Sequence, residues 1–140
     1  MHWIVAGLIT GVVAWMVDFV LWTKVFNKGL EAYGTMPPAG QKMPMGPKIG
    51  ASLGLALVFG VVFAGLFDHF RPALWAAGPL GGMEFGSILW LSTIAFMCVG
   101  SSVWFDKART LLNAEFWAWF VRLNVAGLVV ALLLGGAPHA

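Results

Sequence analysis

Two charged side chains stand inside otherwise apolar runs of this 140-residue sequence: Asp18 in the run 3–22, and Arg122 in the run 116–134. A carboxylate and a guanidinium in apolar surroundings have two chemical uses. They clasp two segments as an ion pair, or the acid takes up and releases a proton or cation. The spacing favours a meeting. Asp18 lies six residues before Lys24, about 9 Å along a helix, and Arg122 lies seven past Glu115, about 10 Å. In hydrocarbon each charge alone costs about 2.5–3.5 kcal/mol, part of which pairing offsets. We read Asp18 and Arg122 as an intramembrane ion pair that locks the first and last helices. The rival reading makes Asp18 a proton or cation site.

The remaining reactive groups form no catalytic set. His2, His69 and His139 fall at the ends of apolar runs, whereas a haem or pigment inside a bundle usually takes an axial histidine at mid-depth. The single cysteine, Cys98, allows no intramolecular disulfide and no cysteine metal motif. Within an apolar run it behaves as a small packed hydrophobe. Ser101, Ser102 and Asp106 are close in sequence with no histidine beside them. Ser92, Ser101 and Ser102 can spend their hydroxyls on their own helix carbonyls. Met36, Met43 and Met45 could gather Cu(I), but no cysteine or histidine joins them. GxSxG, HExxH and Walker patterns do not occur. The expectation is therefore no enzyme, no metal and no resident cofactor. A bound lipid or pigment would sit at contacts with other chains.

These side chains need apolar elements to hold them, and composition supplies those. The chain is 60% hydrophobic and only 10% charged, with a mean hydropathy of +0.86. Soluble domains carry about 25% charged residues, and a soluble fold of this composition would expose aggregating patches. The net charge of +2 comes from basic residues in connecting segments rather than from a basic stripe, which argues against nucleic acid. Four runs, 3–25, 49–67, 84–105 and 115–135, are each long enough to cross a bilayer core as a helix. The fold class is thus an all-α, integral membrane, four-transmembrane-helix bundle in a single domain. Helices 1–2 and 3–4 are each suited to form a hairpin. No lysine or arginine precedes the first run, and the run exceeds a signal-peptide core, so it reads as a retained helix.

Orientation follows from lysine and arginine. The loop 26–47 and its margins hold Lys24, Lys28, Lys42 and Lys48, and the loop after helix 3 holds Lys107 and Arg109. Only Arg71 lies between helices 2 and 3, and neither tail holds a basic residue. The positive-inside rule then puts both termini outside the cytoplasm of a bacterial inner membrane. The loop 26–47, with Pro37, Pro38, Pro44 and Pro47, reads as irregular chain against anionic headgroups.

Packing devices are plentiful. Gly7 and Gly11 of helix 1 and Gly50 and Gly54 of helix 2 repeat the small-xxx-small spacing. Asn124 and Gly127, with Ala131 and Gly135, give helix 4 a small, partly polar face, while Arg122 lies elsewhere with Ala118, Trp119 and Ala126. Glu84 reads as an acid at the start of helix 3, and Asn113 as the N-cap of helix 4. Of the eight tryptophans, Trp3, Trp22, Trp75, Trp104, Trp117 and Trp119 fall near the predicted interfaces. Trp15 and Trp90 are deeper, where the indole N–H needs a partner.

The four-span plan, the segment Leu21-Trp22-Thr23 followed by Phe26 and Lys28, and Trp104-Phe105-Asp106 closing helix 3 are together similar to a family of small uncharacterised bacterial four-helix membrane proteins. The resemblance implies a fold and a bacterial membrane; it carries no activity and no functional residues. The expected role is a non-catalytic accessory or structural subunit of a larger membrane complex, respiratory or photosynthetic, whose partners are lipids and other integral membrane subunits. The alternative is a small proton- or cation-coupled transporter acting as a homodimer.

Overall fold

The computed structural model describes residues 2–26, 45–104 and 109–135. It is all-helical. Helix α1 spans Trp3–Val20 and continues as a π-helical turn over Leu21–Val25. Helix α2 spans Met45–Phe70 and tightens into a 3-10 turn at Arg71–Ala73. Helix α3 runs Gly78–Leu89, then a π segment Trp90–Ala95, then Phe96–Trp104. Helix α4 spans Arg109–Leu134. All four are long and apolar enough to cross a membrane, at 23 to 26 residues per continuous span.

Three helix starts differ from those drawn on hydropathy, because an apolar run marks depth in a membrane and not the length of a helix. Helix α2 begins at Met45, four residues before the expected 49, so the end of the stretch 26–47 is helical and not irregular. Pro47 stands in its first turn, where a helix N–H has no partner to lose. Helix α3 begins at Gly78, six residues before Glu84. Gly78 takes φ +62°, and Pro79 follows in the first turn, where its missing N–H costs nothing. Glu84 therefore does not start the helix. It reaches back to accept the backbone N–H groups of Trp75 (3.1 Å) and Ala76 (2.7 Å), closing the connector from α2. Helix α4 begins at Arg109, so Asn113 is an interior residue and not an N-cap. The segment between Arg109 and Glu115 is polar but rich in helix formers, and the helix extends through it. At the far end Gly135, at φ +91°, ends α4 in the left-handed conformation that glycine takes without strain.

The helices pair as two antiparallel hairpins. In the first, Gly7 meets Val61, Gly11 meets Ala56 and Leu57, and Trp15 meets Ser52, so α2 numbers fall as α1 numbers rise. In the second, Gly82 meets Gly127, Gly86 meets Leu123, and Trp90 meets Phe116. Helix α4 joins the hairpins by packing on α1 and α2 as well as on α3. The buried core lies toward the Arg71 end. Phe63, Ala64 and Phe67 of α2, Phe85 of α3, and Leu123, Ala126, Val130 and Ala131 of α4 fill it. Phe85 stands edge-on to Phe63 and Phe67 at centroid distances of 5.2 and 5.7 Å, the geometry that aromatic quadrupoles prefer. Arg71 ties the halves together at this end, donating to the Leu134 carbonyl (3.2 Å) while pairing with Asp68 (3.1 Å).

The outward surface is apolar. Leu55, Phe96 and Val103 are each more than 70% exposed, and Leu8, Val58, Leu91 and Leu132 join them around the bundle. The π segments carry hydroxyl residues on that surface: Thr23 bonds back to the Phe19 carbonyl (2.7 Å), and Ser92 and Thr93 to the Leu89 carbonyl (3.3 and 2.5 Å). These bonds satisfy carbonyls that a π turn strips from the regular ladder.

Candidate functional site

Toward the Lys24 end the bundle loosens and the two intrahelical charges meet. Asp18 projects from α1 with Trp15, Phe19 and Trp22 along one face, the three-four spacing of a helix. Arg122 projects from α4 one turn after Trp119. The Arg122 Nη2 and Asp18 Oδ2 form an ion pair, both side chains about four-fifths buried (20% and 22% exposed). The guanidinium also lies over the Trp119 ring, 4.2 Å from its centroid, a cation–π contact that strengthens when water is excluded. Asp18 Oδ1 is buried with no hydrogen-bond donor from the described residues.

The pair forms one wall of a hollow of about 620 Å³ between α1, α2 and α4. Ile49, Ser52, Leu55, Ala56 and Phe59 of α2 complete it. Polarity is concentrated in a few groups. The Trp15 indole donates to Ser52 Oγ (3.0 Å), and that hydroxyl donates to the Ile49 carbonyl (2.9 Å). The deep Trp15 thus has a partner within the chain. So does Trp90, whose indole donates to the Phe116 carbonyl (2.9 Å) across the second hairpin.

The glycines divide. Gly7 and Gly11 lie at the α1–α2 crossing, where a Cβ on Gly7 would stand 2.6 Å from the Val61 Cα. Their counterparts are not Gly50 and Gly54, where an added Cβ would meet nothing within 4 Å among the described residues. The α2 residue at the crossing is Gly60, which meets Gly7 and Gly11 backbone to backbone. Gly50 and Gly54 are exposed and do not line the hollow. The missed signal is visible in the chain: Ala56, Gly60 and Ala64 also recur every four residues. In the second hairpin Gly127 packs on Gly82, too tightly for a Cβ on either. Asn124 accepts from Ser87 Oγ (2.9 Å) and donates to the Phe120 carbonyl (2.9 Å), the first an inter-helix bond. Gly82 went unseen because it precedes the apolar run.

The aromatic set also divides. Trp3 stacks on His2 and covers Gly65 at the Arg71 end. Trp75 is 94% exposed in the connector, and Trp117 is exposed on α4. Trp22 faces the hollow near the Lys24 end. Trp119 lies between Phe59 (6.3 Å, edge-on) and Arg122 and lines the hollow. The Trp104 side chain lies outside the described residues, as do Lys28, Met36, Lys42, Met43, Phe105, Asp106, Lys107, His139 and the side chains of Met45 and Lys48. Among the described residues no three His, Cys, Asp or Glu side chains gather. Cys98 is buried.

Comparison of the chain with family models, with curated proteins and with solved structures returns no match.

Proposed function

We propose that the chain is a multi-pass inner-membrane protein of bacterial type, with both termini outside the cytoplasm. In this reading it serves as a non-catalytic accessory subunit of a larger membrane complex, respiratory or photosynthetic. One observation carries the reading. Gly50 and Gly54 have the spacing that lets a helix approach closely, yet both are exposed and a Cβ on either would meet nothing within 4 Å among the described residues. The chain's own helices cross elsewhere, at Gly7, Gly11 and Gly60 and at Gly82 and Gly127. The outward pair therefore suits a helix from another chain, and the apolar perimeter around it suits lipid.

Purification from native membranes in mild detergent tests this. A larger assembly is expected, with Gly54→Cys in a Cys98→Ser background cross-linking to one of its members. A solitary monomer counts against it. The transporter reading is supported by the Asp18 oxygen that lacks a donor among the described residues. Under that reading Asp18→Asn abolishes proton-coupled flux in vesicles and leaves folding intact. Under the subunit reading it lowers stability and changes no flux.

A further inference from the structure

A second hollow, of about 450 Å³, adjoins the first. It lies between α2 and α3 over α4, and Leu55, Phe59 and Trp119 line both. The two meet at the Phe59–Trp119 contact and together follow α2 as a trough from Ser52 to Leu66, about 21 Å at the helical rise. Its ends differ in chemistry. At one end stand Arg122 and Asp18 with aromatic walls; at the other Val58, Val62, Phe63, Leu66, Ile94 and Leu123 line the trough with Thr93, whose hydroxyl is spent on the Leu89 carbonyl.

We propose that this trough binds a lipophilic quinone, with its planar carbonyl head beside Arg122 and its isoprenoid tail along α2. Arg122 has five N–H donors in a fixed fork. Among the described residues its polar partner is the Asp18 carboxylate, and a fifth of the side chain stays exposed where it lines the hollow. Donors remain for an acceptor on a ligand. The ligand head is neutral, because Asp18 already balances the guanidinium and an added ion would be uncompensated in an apolar setting. It is flat and aromatic-compatible, because Trp22, Phe59 and Trp119 form the walls. It carries a long apolar tail, because the far half of the trough offers almost no polar surface. A phospholipid meets the last condition and fails the first two.

The test uses the full-length protein in quinone-free phosphatidylcholine nanodiscs, titrated with decylbenzoquinone and followed by tryptophan quenching. Saturable quenching at about one quinone per chain is expected. Benzoquinone without a tail should bind at least tenfold more weakly. Val62→Phe, which narrows the apolar half, should weaken decylbenzoquinone at least fivefold and leave benzoquinone unchanged. The neutral double variant Asp18→Asn with Arg122→Gln should weaken both at least tenfold. If it fails to fold by circular dichroism and gel filtration, the tail comparison and Val62→Phe decide. Equal binding of the two quinones, or an unaffected Val62→Phe, overturns the proposal. Dodecyl phosphate competing as well as decylbenzoquinone also overturns it and makes the trough a phospholipid site. No saturable binding, with Leu55→Cys cross-linking one copy to another in a Cys98→Ser background, makes it a contact between copies.

Discussion

Asp18 and Arg122 show how far single residues can be argued from a sequence. Opposite charges at matching distances from Lys24 and Glu115 were enough to draw them together, because hydrocarbon leaves a lone charge few alternatives. Removing one partner strands the other. Asp18→Asn or Arg122→Gln alone should each cost about 3–5 kcal/mol, with the double variant nearer to the parent than either. A double-mutant cycle of unfolding in detergent reads this, and additive losses would show that the pair is not coupled. Thr10 gives the opposite case. Its hydroxyl is fully buried in α1 with no hydrogen-bond partner among the described residues. Thr10→Val keeps the shape and removes an unsatisfied group, so thermal stability should hold or rise. A clear loss would reveal a bond that the geometry does not show. Neither Thr10 nor the inward turn of Trp119 was legible beforehand. Burial of a hydroxyl depends on which helix crosses where, and the side to which Trp119 turns depends on how α2 packs on α4.

Helices follow hydropathy in their existence and backbone hydrogen bonding in their ends. All four were readable because no other structure satisfies so many backbone groups within an apolar run. Their limits were not, since Gly78 and Pro79 start α3 within a polar connector, and the Arg109–Asn113 stretch adds turns to α4 without adding hydropathy. The crossings show the same division. Small residues at four-residue spacing occur twice on α2, and the sequence does not say which set a neighbour will use. The structure uses Gly60, and that choice is testable. Gly60→Ala drives a methyl into the Gly7 and Gly11 backbone and should cost about 1–3 kcal/mol. Gly54→Ala meets open space within the chain and should be neutral or stabilising by up to about 1 kcal/mol in the isolated protein. Melting temperatures of the two variants, measured side by side, check the assignment. Equal losses would mean that α1 and α2 cross nearer the Lys24 end.

For the molecule as a whole, the placement of basic residues makes a prediction that packing does not. With the proposed orientation, a cysteine at Trp75 in a Cys98→Ser background should react with an impermeant maleimide from outside spheroplasts. One at Lys42 should react only after lysis. The reverse pattern would invert the bundle. The bundle's construction from two hairpins has a separate consequence. Each pair of helices has its own glycine crossing, and the connector at 74–77 is closed by Glu84 from within the second pair. The peptide link before Leu74 therefore does little to hold the halves in register; the Phe63–Phe67–Phe85 core, Asp18 with Arg122, and Arg71 with the Leu134 carbonyl do that across the seam. Two separately translated pieces, 1–73 and 74–140, should find each other in the membrane and co-elute as one species. Charge reversal of the clasp in one piece should abolish their recovery together, and its exchange in both should restore it.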